Sequence, residues 1–293
     1  MASSSQSKAL SATLLSLALT MSFFLSECHA KSSIHHVLRR FGNVVVSPPH
    51  KHKPPFKPGP WKEAHATFYE GGAGTYGGAC GYADVVKLGY GENTAALSSV
   101  LFNNGQKCGS CYEIKCFNST QWCKPGEQSL IVTATDHCPA DNNGGWCDPP
   151  REHFDLTKSG FLQIAEYKAG IVPIRYRQVP CQKQGGIRFE ITGNPYFNLV
   201  SITNVGGSGD VMSVEVKGDD ELRWSPLTRN WGQKWQSNSK LIGEGLTFRV
   251  RTSDGKTTTA WNVVPKNWQF GQSFVSQKNF RGMPLDTNNG PNP

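Results

Sequence analysis

Past Leu25 the sequence has no long apolar run, so no later segment reaches the roughly 20 residues that a membrane-spanning helix requires. The single run present, Leu10 to Leu25, follows Lys8 and precedes the small-residue site Cys28-His29-Ala30. That order reads as a secretory signal peptide over residues 1–30, cleaved after Ala30, and not as an anchor. Acidic residues are missing from residues 31–60, where Lys31, Arg39, Arg40, Lys51, Lys53 and Lys57 stand alone. Lys8 and Glu27 cancel within the signal, so of the formal charge of +8 six units belong to this segment and about +2 to everything after it. A Walker loop, a recognition helix and a basic-aromatic array are all missing, which argues against nucleic acid as a partner. An acidic wall polysaccharide or a lipid headgroup fits the basic arm better, which leaves peripheral membrane contact open beside a merely solvated tail. Pro48, Pro49, Pro54, Pro55, Pro58 and Pro60, interleaved with His50 and His52, predict an extended or disordered arm. Nothing fixes a geometry around those histidines, so no metal and no cofactor is expected.

Cysteine is what the chain does have. Of nine, Cys28 leaves with the signal, and Cys80, Cys108, Cys111, Cys116, Cys123, Cys138, Cys147 and Cys181 are left. An even set in an oxidising compartment predicts disulfides, against the zinc that Cys108-x-x-Cys111 would suggest in a cytosolic protein. Eight cysteines allow 105 connectivities, so composition leaves the pairing open. All of them lie in residues 61–184, a stretch of Gly-rich turns such as Gly71-Gly72-Ala73-Gly74 and β-like runs such as Leu130 to Thr135. Two helices are expected there: Thr94 to Phe102, and Leu156 to Tyr167 with Asp155 in the N-cap position. After Cys181 the pattern becomes one of strands: Ile187–Ile191, Phe197–Thr203, Val211–Val216, Leu246–Thr252 and, across the Asp254-Gly255 turn, Lys256–Val264. Residues 185–293 therefore read as a β-sandwich, with Gln182-Lys183-Gln184-Gly185-Gly186 as the linker. The mature chain suits two domains of roughly 100–150 residues.

Candidate chemistry in the first domain rests on Asp84, Asp136, Asp148 and Asp155. A glycosidase needs two facing carboxyls, one protonated and one ionised. In the second domain the candidates are Tyr196, Phe197, Trp224, Trp231, Trp235, Trp261 and Trp268, whose flat rings can stack on sugar faces. Phe197, Trp231 and Trp235 are expected at the surface, the last two on one face of a strand by their even spacing, and Trp261 in the core. Asn118-Ser119-Thr120 is an N-glycosylation sequon.

The motifs His65-Ala66-Thr67-Phe68-Tyr69, Gly77-Gly78-Ala79-Cys80-Gly81-Tyr82, Cys108-Gly109-Ser110-Cys111-Tyr112-Glu113-Ile114, Gly144-Gly145-Trp146-Cys147 and His153-Phe154-Asp155-Leu156 resemble those of plant expansins, closest to the α branch. The likeness continues through Arg177 to Cys181, Asn204 to Gly207 and Asn230 to Trp235, and so covers the chain from about Trp61 onward. The length of the arm and the pair Asp136-His137 depart from the family pattern. The resemblance implies an all-β chain: a six-stranded double-psi β-barrel, similar to family-45 endoglucanases, followed by an immunoglobulin-like carbohydrate-binding sandwich. It implies the pairs Cys80–Cys108, Cys111–Cys181 and Cys116–Cys123, leaving Cys138 with Cys147. By the same likeness Asp155 matches the proton donor of the endoglucanases, and Thr67 and Tyr69 match groove residues beside it. Asp136, at a strand end, is the second acidic candidate. The endoglucanase base has no counterpart in Thr67-Phe68-Tyr69, so an acid without a base is expected to leave the glycosidic bond intact. The implied function is non-hydrolytic loosening of plant cell walls by a secreted monomer acting on cellulose and on matrix polysaccharides such as xyloglucan or pectin. The alternatives are a weak β-1,4-glucan hydrolase and a passive wall-polysaccharide binder.

Overall fold

The computed structural model describes residues 54–70, 77–126 and 128–284. The signal peptide, the arm as far as Lys53 and the Gly71 to Gly74 turn lie outside them. Six strands close the first barrel: β1 (Lys62–Tyr69), β2 (Thr94–Ser98), β3 (Cys111–Cys116), β4 (Ser129–Cys138), β5 (His153–Thr157) and β6 (Val172–Val179). Around the barrel the order is β1-β5-β2-β4-β3-β6. β1 runs parallel to β5, and β2 parallel to β4, which is the mixed connectivity of a double-psi barrel.

β2 corrects the first expected helix. Thr94-Ala95-Ala96-Leu97-Ser98 is buried at every position, as a strand wedged between β4 and β5 must be. Its Ala and Leu have helical propensity, but pairing on both edges outweighs that weak preference. Only one helical turn follows, α1 (Ser99–Phe102). The second expected helix is likewise shorter. β5 runs on to Thr157, whose hydroxyl accepts from the Gly160 N–H and caps α2 (Lys158–Ile164). Asp155 is therefore no N-cap; it lies two residues upstream, on the strand.

The second domain runs β7 (Arg188–Asn194), β8 (Phe197–Thr203), β9 (Val211–Gly218), β10 (Ser225–Trp231), β11 (Lys234–Ser237), β12 (Leu246–Thr252), β13 (Thr257–Val264) and β14 (Gln272–Val275). Hydrogen bonding orders them β13-β12-β9-β10-β11-β8-β7-β14. β10 pairs with β9 through Ser225 to Leu227 and with β11 from Thr228 on, so it crosses from one sheet of the sandwich to the other. The alternating apolar residues of the two sheets meet inside, where the Phe189 and Phe248 rings stack at 4.8 Å.

Two tryptophan expectations fail, both through register. Ala260 takes the inward position of β13, so Trp261 points outward and is 64% exposed; Trp268 is in the core instead, and its Nε1–H donates to the Glu244 carbonyl at 3.1 Å. Trp231 and Trp235 do not share a strand, because Gly232 and Gln233 turn the chain between β10 and β11. Trp235 then faces the core at 3% exposure. The end of the arm also differs from a free tail. Phe56 bridges to Gly282, and the Gly59 N–H donates to the Gln178 carbonyl at 2.8 Å, docking these residues on the folded chain.

The four disulfides are Cys80–Cys108, Cys111–Cys181, Cys116–Cys123 and Cys138–Cys147, as the family likeness implied.

Candidate polysaccharide groove

The parallel β1–β5 register sets Thr67 opposite Asp155 and Tyr69 opposite Thr157. Thr67 Oγ1 donates to Asp155 Oδ1 at 2.8 Å and lies 2.8 Å from His153 Nε2. Burial raises the Asp155 carboxyl above the ordinary carboxylate range, the Thr67 hydrogen bond opposes the rise, and the charge of Asp136 adds to it. Burial also pulls His153 down to about 4, with His65 contributing, so its imidazole is neutral at mildly acidic pH. Tyr69 feels the same surroundings: burial pushes its phenol up and Asp136 and Asp155 add, and its hydroxyl is itself buried without a hydrogen-bond partner, so it is sealed from the groove that the family likeness assigned it to.

Asp136 reaches this site from the other side of β2. Ala96 pairs with Asp155 on one edge and with Asp136 on the other, so two interstrand spacings, about 10 Å, separate the two backbones. Asp136 Oδ1 accepts the Ala79 N–H at 2.7 Å and the His137 N–H at 2.8 Å. That oxygen ties the Gly78–Cys80 turn to the barrel, and His137 packs away from it, stacked on Phe102 and 3.0 Å from Ser99 Oγ. The two other candidate acids are structural. Asp148 accepts backbone N–H groups of Asp141, Asn142, Gly144 and Gly145, and Asp84 accepts those of Val86 and Lys87.

From Asp136 the turn leads directly to the sandwich. The Gln233 N–H donates to the Cys80 carbonyl at 2.9 Å, and Gly232, at φ +47°, approaches so closely that a Cβ there would fall 2.4 Å from the Cys80 backbone. The Trp231 ring lies over Gly81, 3.1 Å from where a Cβ would stand, and is 43% exposed. Trp231 therefore continues the surface that begins at Asp155 and Asp136. Phe197 is half-buried at the start of β8, on the same outer face by alternation, and its neighbour Tyr196, not favoured by the sequence reading, is 81% exposed. Trp235, the third expected stacking residue, is buried and cannot serve. Asn118 is exposed, in a left-handed turn within the Cys116–Cys123 loop.

Sequence reasoning missed His153 and Trp146. The only signal for His153 was its place in the His153-Phe154-Asp155 motif, two residues from the acid and hence on the same side of the strand. Trp146 packs against His65 at 4.7 Å, beside a cavity of about 390 Å³ that also includes Arg151 and Glu152.

A family model described as Expansin C-terminal domain matches residues 187–265, and one described as lytic transglycolase matches residues 94–176. Expansin-A32 of Oryza sativa subsp. japonica is 57% identical, over 82% of this chain and 91% of its own length. The chain belongs to the expansin family. Expansin-A22 of Arabidopsis thaliana, 53% identical over 75% of this chain and 80% of its own, puts it with the α-expansins. The fold of this expansin is also that of the apo expansin of Clavibacter michiganensis, at a TM-score of 0.60 and 20% identity over 77% of this chain and 99% of that one. A mutant of that bacterial expansin, solved in complex with cellohexaose, superposes with a TM-score of 0.58 at 19% identity, over the same shares of the two chains.

Proposed function

We propose that this expansin is secreted to the plant cell wall and loosens it without hydrolysis, by binding a glucan chain along the surface from Asp155 to Trp231 and displacing that chain's contacts with its neighbours. The observation that carries the reading is the continuity of that surface: a barrel acid, a second acid across β2, and an exposed tryptophan on the sandwich are joined through one short turn. Glucan chains adhere through many weak contacts, so a protein that offers stacking at Trp231, and hydrogen bonds at Thr67 and Asp155, competes locally without covalent change. Family membership and the cellohexaose complex of a bacterial relative support cellulose as a ligand.

What speaks against the bond-breaking alternative is the environment of the second acid among the described residues. Asp136 is the other acid at the site, and one of its oxygens is already held by two backbone N–H groups, an arrangement suited to pinning a turn. Simple adhesion through the sandwich would leave the Thr67–Asp155 pair without a task. The secretion signal, a glycan at Asn118 and action by a monomer belong to the same reading.

The test is creep of a heat-inactivated wall strip under constant load, with released reducing sugar measured alongside. Wild-type protein is expected to extend the strip without sugar release. Asp155→Ala is expected to lose at least about tenfold in creep rate, the effect of about 1.4 kcal/mol, the size of one charge-assisted hydrogen bond. Sugar released in step with extension would establish a hydrolase, and cellulose retention without extension would establish a passive binder.

A further inference from the structure

The sandwich has a second outer face, on the sheet opposite Trp231, and nothing in the proposed glucan surface uses it. Trp261 projects outward from β13 there, and Trp224, just before β10, lies 6.3 Å from it, ring to ring, at 63°. The Arg249 guanidinium sits 3.9 Å over the Trp224 ring and pairs with Glu215 at 3.1 Å. Strand register sets the charges on this face in rows. Lys217 lies opposite Thr247 beside Trp261, Arg249 stands between Glu215 and Thr259, and Arg251 between Ser213 and Thr257. Successive outward residues are about 7 Å apart along a strand, so each row presents a cation. Glu215 is the one acid among these positions, and among the described residues Lys217 and Arg251 form no ion pair. A cavity of about 220 Å³ adjoins Trp261 at the sheet edge, lined in part by Asn262, Gln277 and Lys278.

We propose that this face is a second carbohydrate-binding surface, for a polyuronate of the wall matrix, a linear chain whose sugar rings each bear a carboxylate. Two features select that chemistry. Exposed indole faces stack on the C–H faces of sugar rings, which free carboxylates of other kinds do not offer. Beside the Arg249–Glu215 pair, Lys217 and Arg251 are cations left over on the strands of this face, with Asp219, Asp220 and Glu221 confined to the turn after β9; they complement a polymer with regularly repeated negative charge, and guanidinium groups hold carboxylates by paired hydrogen bonds. The structural alternative is that Arg249 and Trp224 merely cover the sheet, but that leaves Trp261, Lys217 and Arg251 without a role. The inference deepens the wall-binding reading, adding a matrix anchor on the face opposite the glucan surface.

The experiment uses the whole secreted chain, with soluble polygalacturonate in affinity electrophoresis and cellulose sedimentation in parallel. Trp261→Ala and Arg251→Glu are each expected to weaken polygalacturonate binding about tenfold while leaving cellulose retention within about twofold. Binding to polygalacturonate should also fall steeply toward about 0.5 M salt. Trp231→Ala should do the reverse, losing cellulose and keeping polygalacturonate. Both residues are exposed, and two independent variants guard against one that misfolds. Wild-type polygalacturonate affinity in both Trp261→Ala and Arg251→Glu would overturn the proposal and assign any such binding to the basic arm. Equal loss of both polymers would overturn it too, by merging the two faces into one site. Failure of creep in the strip assay, with polygalacturonate binding intact, would sink the loosening reading alone.

Discussion

At the scale of single residues the site turns on one hydroxyl. Thr67 has one proton to give, and it lies 2.8 Å from both Asp155 Oδ1 and His153 Nε2. Donation to the carboxylate requires His153 to carry its proton on Nε2, which leaves the buried Nδ1 as a bare lone pair without a partner. Asp155 is thus a carboxylate with one good donor in a desolvating pocket, and its raised pKa follows. Linkage gives the sign. A carboxyl whose folded pKa exceeds its unfolded value of about 3.9 binds its proton more tightly in the folded state, so its favourable contribution is complete below about pH 3.9 and is lost as pH rises through the folded value. Replacing Asp155 by Asn removes that dependence. Thermal midpoints of wild type and Asp155→Asn are expected to differ least near pH 3.5, with the variant gaining on wild type toward pH 7. Adding Thr67→Val to the wild type should raise the carboxyl's pKa further and widen the pH range over which wild-type stability falls. A constant difference between wild type and Asp155→Asn across that range would show that Asp155 titrates as an exposed carboxyl does.

At the scale of elements, tryptophans separate what register decides from what composition decides. Trp268 is fully buried with its N–H satisfied, so Trp268→Ala is expected to cost about 3–5 kcal/mol in urea unfolding. Trp261→Ala, on an exposed face, should stay within about 0.5 kcal/mol. Equal costs would contradict the inward and outward assignment of β13. The strands Phe197–Thr203 and Leu246–Thr252 were legible to the residue; in the second, Leu246, Phe248 and Val250 alternate with Thr247, Arg249 and Arg251, the period a strand with one core face writes into the sequence. β2 was not, since a strand buried on both faces carries no alternation and its Ala-Ala-Leu reads equally well as helix. Neither tryptophan error could be avoided from spacing alone. An even spacing places two residues on one face only within a single strand, and the Gly232-Gln233 turn that breaks the strand is held by the barrel, through the Cys80 and Cys108 carbonyls. Asp136 and Asp155 stood among the sequence's candidate acids, but their placement on either side of Ala96 is a property of barrel order, which periodicity does not carry.

At the scale of the whole molecule, the barrel and the sandwich share a polar seam. Asp210 is completely buried, accepting from Lys107 Nζ at 3.2 Å and Ser110 Oγ at 3.3 Å on the barrel side, and from Ser253 Oγ at 2.6 Å on the sandwich side. Arg229 donates to the carbonyls of Gly232 and Val211 within the sandwich and of Gly105 in the barrel, with its guanidinium 4.4 Å over Trp235. The Cys111–Cys181 bridge and the Cys181 N–H to Gly207 carbonyl bond, 2.7 Å, clamp the linker beside this seam. Such a seam holds Trp231 in register with Asp136, and a surface that must grip one chain across two domains depends on that. Calorimetry of the wild type is therefore expected to give a single unfolding transition. Asp210→Ala removes the acceptor that both domains share and strands Ser110 and Lys107 in a mostly dry interface, a loss of about 2–3 kcal/mol. The variant should split the transition in two and lower creep, even though no residue of the groove has changed. A variant that melts in two steps yet keeps full creep would mean that the domains act independently. The continuous surface from Asp155 to Trp231 would then carry no load as a unit, because under turgor a hinge between the two halves would let the bound chain slip at the turn instead of being pulled from its neighbours.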